Sequence, residues 1–290
     1  MSALRFAGAI VGLSAVLGAT QQDKGPLSVS LSRDLVGMHV ESARGEDLGE
    51  IHDIVVHPGG ATSYAVLSFG GWMGIGDKLF AMPWTVLKRV EGDAKQRSGE
   101  HKLVLPIEKS RLKSAPGFDK SHWPSMANAD WTHDIDAFYK DAANPNTAKP
   151  VEAAARNSVI SWRLSELQGI EVTTPDGKDL GDIKGLAIDS DGRVNYAVLS
   201  VGGFLGIGDR LVAVPWDAMK FSLAGDDGSK KLVSLATTKE QLAKAPEFKD
   251  GKGDREAMCD MAWITRVHEH FSCPPYWKSE ATPIGTGSSR

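Results

Sequence analysis

This sequence has no excess of basic charge, few cysteines and no long apolar run. The 290 residues carry a formal net charge of −4, so no basic excess is available to neutralise the phosphates of a nucleic acid. Cys259 and Cys273 are the only cysteines, which leaves room for one disulfide at most. With 41% hydrophobic and 24% charged residues, the composition is that of a soluble globular protein.

The N-terminus has the pattern of a secretory signal. Arg5 precedes an apolar stretch, residues 6–19, and the chain turns polar at residues 21–26. That stretch is shorter than the roughly 20 residues of a membrane-spanning helix. We expect export, to the periplasm, with cleavage near Ala19 or Thr20. An uncleaved membrane anchor and a buried or frayed N-terminal helix are the alternatives.

The two cysteines do not form an obvious disulfide. Between them an apolar residue recurs every third position, as on one face of a helix, at Met258, Met261, Ile264 and Val267. If this helix runs to Phe271, its rise separates Cys259 from Cys273 by about 20 Å. A disulfide requires Cα atoms within about 7 Å. Either the helix breaks early or the two thiols are not partners within one chain.

The dominant feature of the sequence is an internal repeat. Residues 37–88 align without a gap with residues 169–220 at an offset of 132, and 24 of the 52 aligned positions are identical. A length of 290 residues is typical of about two domains, and the repeat turns that estimate into a count. We divide the chain into a signal peptide (1–19), a first barrel domain (28–140), a linker (141–158), a second barrel domain (159–272) and a mobile tail (273–290).

Each repeat contains short strand patterns separated by glycine-rich turns. Five or six such strands, with glycine turns and a peripheral helix, predict a small β-barrel, since closure removes exposed strand edges. Thr237 and Glu240 have the spacing of a capping box at the start of a short helix. Trp131 and Trp263 recur at the same offset, which predicts a terminal helix in each copy. We therefore predict a mainly β fold of two tandem barrels, with Trp84 and Trp216 filling them.

Several motifs occur in the same order in both copies: Gly-x-x-Val, Asp-Leu-Gly-x-Ile, Tyr-Ala-Val-Leu-Ser, Gly-Gly, Gly-Ile-Gly-Asp and Ala-x-Pro-Trp. This order resembles the PRC-barrel family, over nearly all of residues 32–140 and 164–271. The family includes the cytoplasmic domain of the photosynthetic reaction centre H subunit and the C-terminal domain of the ribosome maturation factor RimM. The resemblance implies small PRC-type β-barrels that mediate interactions. It supplies no catalytic residue set.

A glycine-rich loop in each copy displays large apolar residues. Residues 70–77 lack the third glycine of a dinucleotide fingerprint and lead into a strand, so they predict a structural turn and no phosphate site. The loops present Trp72 and Met73 in the first copy, and Phe204 and Leu205 in the second. These four residues either pack against their own barrel or form an interaction surface, between the barrels or with a partner.

The polar residues indicate no metal site, cofactor or catalytic group. His39, His52 and His57 have no histidine counterparts in the second copy, and His268 and His270 point about 200° apart on a helix. We expect these histidines to be solvent-exposed. Residues 189–192 read as a hairpin turn, because they lack the downstream spacing of a calcium loop. Asp77 and Asp209 read as turn-stabilising carboxylates.

These observations predict a non-catalytic, exported tandem PRC-barrel protein. It would act as a protein-interaction or assembly module at the cell envelope, binding a protein partner or itself, with no nucleic acid and no cofactor. The alternative is a membrane-associated scaffold similar to the reaction-centre H subunit, supporting a photosynthetic or electron-transfer complex. The sequence does not name a small-molecule ligand.

Overall fold

The computed structural model describes residues 29–69, 78–90, 102–125, 128–142, 161–202, 210–225, 230–249 and 256–275. The predicted signal peptide lies outside these ranges, as do most of the predicted linker and tail, and the proposed domain bounds stay predictions. Within the described ranges, no helix has both the length and the apolar character needed to cross a membrane.

The first repeat consists mainly of short strands. Its strands are β1 (Val29–Leu31), β2 (His39–Ser42), β3 (Asp47–Val56), β4 (Thr62–Phe69), β5 (Lys78–Pro83), β6 (Lys88–Val90), β7 (Lys102–Leu105) and β8 (Gly117–Asp119). Its helices are α1 (Ser32–Leu35), α2 (Lys109–Leu112) and α3 (Ala129–Tyr139). Short 3-10 turns follow β5 at Trp84–Val86 and α3 at Lys140–Ala142.

The second repeat follows the same plan. Its strands are β9 (Trp162–Arg163), β10 (Glu171–Thr173), β11 (Asp179–Asp189), β12 (Val194–Val201), β13 (Arg210–Pro215), β14 (Met219–Ala224) and β15 (Lys230–Leu235). Its helices are α4 (Leu164–Leu167), α5 (Lys239–Lys244) and α6 (Met261–His270), and a 3-10 turn at Trp216–Ala218 follows β13.

The strands form two sheets, one for each repeat. The first has the order β6-β7-β2-β3-β4-β5-β8, and the second has the order β13-β12-β11-β10-β15-β14. In both, one parallel pair (β2 with β7, β10 with β15) interrupts an otherwise antiparallel arrangement. Among the described strands, each path is open at its two ends. The predicted mainly β fold in two copies is confirmed.

The Asp-Leu-Gly motif has a specific structural reason in both copies. Gly49 and Gly181 have φ angles of +120° and +132°, and a Cβ on either would overlap the carbonyl oxygen of Ser68 or Ser200 on the neighbouring strand. Only glycine allows that approach. Two residues earlier, a carboxylate oxygen of the Asp accepts the glycine N–H, at 3.1 Å in the first copy and 2.9 Å in the second. The motif is therefore a backbone crossing and not a binding loop.

The terminal helices also match between copies. Asn128 caps α3 and Asp260, at the equivalent position, caps α6, each by accepting backbone N–H groups of the first turn. The predicted pair Trp131 and Trp263 lies on these helices, and each indole ring meets a tyrosine ring edge-on, with centroids 5.6 and 5.4 Å apart. The predicted terminal helices are confirmed.

The predicted capping box of α5 is wrong by one residue. The N-cap is Thr238, whose hydroxyl accepts the N–H of Gln241 at 3.2 Å, while the Gln241 side chain accepts the Thr238 N–H at 2.9 Å. Threonine and a Glu or Gln three residues later occur in two overlapping registers here, and both fit the motif. The structure uses the second register.

The two repeats exchange their first strands. Strand β1 of the first repeat pairs antiparallel with β11 of the second, with Val29 opposite Asp189 and Leu31 opposite Ala187. Strand β9 of the second repeat pairs antiparallel with β3 of the first, with Trp162 opposite Val56. Each sheet is therefore completed by a strand from the other copy.

The hairpin turns of the two repeats meet at a junction with the same contacts in both directions. The N–H of Thr62 donates to the carbonyl of Gly192, and the N–H of Val194 donates to the carbonyl of Gly60, both at 2.7 Å. These positions are related by the offset of 132. The junction therefore has the reciprocal contacts of a two-fold axis between unlike halves.

Two tryptophans close this junction from opposite sides. Trp84 lies against Gly192 of the second repeat, and Trp216 lies against Gly60 of the first. The Trp216 indole N–H also donates to the carbonyl of Pro58 at 2.8 Å. Both side chains are buried, as predicted, but each covers the turn of the other repeat instead of filling only its own barrel. Buried residues of both repeats consequently form one continuous apolar cluster.

Replacing Gly192 with alanine should destabilise the fold far more than replacing Gly177. The two glycines have φ angles of +83° and +84°, so both variants incur the left-handed cost of about 1–2 kcal/mol. A Cβ at Gly192 would also overlap the Trp84 indole, whereas a Cβ at Gly177 has nothing within 4 Å. We expect an additional loss of about 1–3 kcal/mol at Gly192, measured by urea unfolding. Equal losses in the two variants would contradict the junction.

Candidate interaction surface

The four residues of the predicted interaction surface, Trp72, Met73, Phe204 and Leu205, lie outside the described residues. So do Asp77 and Asp209. The structure does place the ends of both glycine-rich loops. The first loop leaves β4 after Phe69 and returns at Lys78, and the second leaves after Gly202 and returns at Arg210. The surface itself stays a prediction, and its base can be described.

The base of the first loop is held by aromatic and cationic side chains. The rings of Phe69 and Phe80 meet edge-on with centroids 5.8 Å apart. The Lys109 ammonium lies 5.8 Å from the centroid of Phe69, and the Lys78 ammonium lies 5.2 Å from the centroid of Phe80. Phe80 is buried and Phe69 is half-buried, so these cation–π contacts lie at the edge of the core.

The base of the second loop is held differently. The Arg210 guanidinium donates to the carbonyl oxygens of Ala243 and Ala245, at the end of α5. Next to it, Val212 forms an isolated bridge with Glu247. These contacts satisfy carbonyl groups that the end of a helix leaves unpaired. In both copies, the strand after the loop pairs with the segment that follows the short helix. Strand β5 pairs with β8 in the first copy, and Val212 of β13 bridges Glu247 in the second.

A half-buried aromatic group lies beside the first loop. Strand β8 places Phe118 opposite Leu79, next to the loop end at Lys78. The ring of Trp123 lies 5.0 Å from that of Phe118 and stacks on that of His52 at 6.4 Å, measured between centroids. The second repeat has Lys184 in place of His52, and it buries Phe248. The Arg163 guanidinium also lies over the ring of Trp123. We call these four residues the Trp123 patch: His52, Phe118, Trp123 and Arg163.

Arg163 joins the Trp123 patch to the second repeat. Its guanidinium lies 4.6 Å from the centroid of Trp123, and it also donates to Glu166 at 2.7 Å. Lys231 donates to the same carboxylate, and its ammonium lies 5.5 Å from the centroid of Trp162. Glu166 is thus the centre of an ion network that holds the start of the second repeat. This group could not be predicted from the sequence, because its members lie far apart in the chain and only Arg163 and Glu166 have helical spacing.

The electrostatics of Glu166 follow from these contacts. Burial raises the pKa of this carboxyl group, but the hydrogen bonds from Arg163 and Lys231 outweigh burial and bring the pKa down to about 2. The carboxylate is therefore charged at any pH near neutrality. It accepts hydrogen bonds from two cationic side chains, Arg163 and Lys231, and holds them in place.

Two of the histidines are buried, and the prediction of solvent exposure is wrong for them. His57 accepts the N–H of Gly59 through Nδ1 at 3.0 Å, and burial lowers the pKa of its ring. His268 packs edge-on against Tyr196, and burial lowers the pKa of this ring as well. His39 is exposed, as predicted. The two buried rings have structural roles that a single sequence does not signal.

The two cysteines lie at opposite ends of the terminal helix of the second repeat. Cys259 and Cys273 are not joined by a disulfide. Helix α6 begins at Met261 and ends at His270, so the first cysteine precedes the helix and the second follows it. In the ranges that the structure describes, no three histidine, cysteine, aspartate or glutamate side chains are grouped as metal ligands.

An open groove of about 780 Å³ runs between the β10–β11 turn and the start of α5. Its two lysines are both paired with aspartates. Lys178 lies 2.9 Å from Asp176, and Lys239 lies 3.0 Å from Asp179. Glu240 adds a third carboxylate to the lining, so the groove has no excess of positive charge to attract an anionic ligand.

The comparisons with known proteins agree with the geometry. A family model of the PRC-barrel domain matches residues 28–112 and 162–239. These two segments contain the exchanged strands, the Asp-Leu-Gly crossings and the junction tryptophans. Among curated proteins, none matches the sequence.

Replacing Glu166 with glutamine should destabilise the protein at neutral pH by about 1–2 kcal/mol, a value reduced for partial exposure of the network. The folded pKa of about 2 lies below the ordinary value of 4.5. The stabilisation is therefore complete above pH 4.5 and is lost as the pH falls toward 2. Urea unfolding at pH 7 and pH 3 measures the difference between wild type and variant, which should shrink at pH 3.

The matched control is Asp176→Asn. The pKa of Asp176 is also lowered to about 2, by hydrogen bonds from Thr174 and Lys178, but this side chain is fully exposed. Exposed ion pairs contribute little to stability, so the control should change unfolding much less than Glu166→Gln at pH 7. A loss for Glu166→Gln that is the same at pH 3 and pH 7 would contradict the network.

Proposed function

The chain belongs to the PRC-barrel domain family, and on that premise we propose that it is a non-catalytic interaction or assembly module that works, after export, at the cell envelope. Its partner is another protein or a second copy of the chain. The observation that carries the proposal is the exchange of strands between the repeats, because it makes one packed body that holds the bases of two apolar loops.

The loop bases support a role in binding proteins. Protein interfaces are enriched in aromatic residues, methionine and arginine relative to the rest of the surface. The first loop carries Trp72 and Met73 and arises next to the Trp123 patch, where aromatic rings and Arg163 are half-exposed. The second loop carries Phe204 and Leu205 in the equivalent position. Two apolar loops on one body could engage two sites of a partner, which raises the apparent affinity.

The buried titratable groups support the non-catalytic part of the proposal. The Asp53 carboxylate accepts hydrogen bonds from the hydroxyl and the N–H of Ser165. The Asp189 carboxylate accepts the N–H groups of Asp191 and Arg193. A general acid or base must reach a substrate proton, and these carboxylates are directed at the backbone and side chains of the protein itself.

Replacing Trp72 and Phe204 together with alanine should abolish or strongly weaken partner capture. Large apolar residues at an interface centre typically account for much of the binding energy, so we expect a loss of at least tenfold in captured partner. The measurement is a pull-down from an envelope extract with quantified partner recovery, compared with the unmodified protein.

The control for this experiment is Leu223→Ala. Leu223 is 37% exposed on strand β14, so this variant removes a surface apolar side chain that does not belong to either glycine-rich loop. Capture should survive in the control. Partners recovered equally with the double variant and the wild type would reject the loop surface.

Export is tested by cell fractionation and N-terminal sequencing. We expect a mature protein in the periplasmic fraction that begins after Ala19 or Thr20, because the N-terminal pattern is that of a cleaved signal. An intact N-terminus in the membrane fraction would instead favour the anchored scaffold. An intact Met1 in the soluble cytoplasm would overturn the envelope role.

A further inference from the structure

The two exchanged segments, β1 with α1 and β9 with α4, form different hydrogen bonds with the repeat on which they lie. Strand β3 has a bulge between Ile51 and Asp53, and β11 has a bulge at the equivalent place, between Ile183 and Gly185. A bulge removes a backbone N–H from the regular ladder, and a buried N–H requires another acceptor. Each repeat solves this problem with a different side chain.

In the first repeat the acceptor is local. The Asp53 carboxylate accepts the N–H of Ile54 at 2.8 Å, and it is buried with only 3% of its surface exposed. The same carboxylate accepts the hydroxyl of Ser165 at 2.6 Å and the N–H of Ser165 at 3.2 Å. Ser165 belongs to α4, directly after the exchanged strand β9. The Asp53 carboxylate therefore accepts the N–H at the bulge and also binds the segment that the second repeat contributes.

In the second repeat the acceptor comes from the other copy. Gly185 takes the place of Asp53, so no side chain is present there. The hydroxyl of Ser32, at the start of α1, accepts the N–H of Leu186 at 3.0 Å. A Cβ at Gly185 would lie 3.2 Å from that hydroxyl oxygen, so a larger residue would crowd it. Ser32 is fully buried at this contact.

Pairing of like repeats would lose these contacts. Ser32 corresponds to Leu164 in the second repeat. Two copies of the second repeat would therefore bring Leu164, whose side chain has no hydrogen-bond acceptor, to the N–H of Leu186. Leaving a buried N–H without a partner costs roughly 1–3 kcal/mol.

Two copies of the first repeat would have the opposite fault. Ser165 corresponds to Arg33, so the Asp53 carboxylate would lose the hydroxyl donor of Ser165 and keep only a backbone N–H at that position. The hydroxyl of Ser32 would meet the N–H of Ile54, which Asp53 already occupies. The receiving sites are therefore complementary across the junction and mismatched within each kind.

We propose that each repeat carries a docking site for the opposite repeat, with specificity set by Ser32 against Gly185 and by Ser165 against Asp53. The two halves hold each other through this site without the connecting residues 143–160. They form a 1:1 pair and exclude pairs of like halves. This proposal does not rest on the proposed function, and failure of the pull-down would leave it standing.

The test uses the full chain with a protease recognition sequence inserted after Lys149. The protein is folded intact, cut, and measured by size-exclusion chromatography and native mass spectrometry. We expect the cut halves to remain a 1:1 complex. After unfolding in urea and refolding of the mixture, this complex should exceed either pair of like halves by at least tenfold. Separation on cutting, or random pairing after refolding, would overturn the proposal.

Side-chain variants test the four positions. Each variant is folded as the intact chain before it is cut, so that folding and docking are measured apart. Ser32→Ala and Asp53→Asn should raise the dissociation constant of the halves by about tenfold or more, and Ser165→Ala, which is milder, by a few-fold. The control is Asp47→Asn, which is on the same strand as Asp53 but accepts the N–H of Gly49 within its own repeat. An effect of Asp47→Asn equal to that of Asp53→Asn would reject the assigned specificity.

Discussion

The reciprocal exchange of the first strands is the constraint on which the rest of the structure depends. It places β1 on the sheet of the second repeat and β9 on the sheet of the first. The hairpin turns then meet closely enough for backbone hydrogen bonds, and Trp84 and Trp216 seal the contact. A small domain buries a limited fraction of its surface, and joining two of them in one core increases that fraction. The two repeats therefore share one core and complete each other's sheets, and they are not two independent domains.

Much of the fold can be predicted from the repeat itself. The identical Asp-Leu-Gly positions mark a backbone crossing that tolerates only glycine, and Trp131 and Trp263 mark the terminal helices. The exchange could not be predicted in the same way. A strand such as β1 fits its own repeat and the other one equally well in sequence pattern, because the copies are similar. The choice depends on contacts such as Ser32 with Leu186, between residues 154 positions apart.

The candidate interaction surface could also be predicted only in part from the sequence. Composition and the glycine-rich loops indicated where apolar residues are displayed, and the structure adds what supports them: Phe69 and Lys78 at one loop base and Arg210 at the other. The Trp123 patch and the Glu166 network could not be predicted from the sequence, because a cation–π contact or an ion pair between distant residues has no local sequence pattern. His57 and His268 were misassigned for a related reason. A histidine next to a turn or on a helix has the same sequence pattern whether its ring is buried or exposed.

The exchange also sets the order in which the protein can mature. Val29 pairs with Asp189, 160 residues later, so the first sheet to be synthesised contributes a strand to the last. At typical synthesis rates of about 5–20 residues per second, the N-terminal strand waits roughly 8–32 s for its partner to be made. Contacts this distant in the chain also slow folding. During synthesis the first repeat lacks both its covering strand β9 and the Trp216 contact, so it stays incompletely assembled until the second repeat is available.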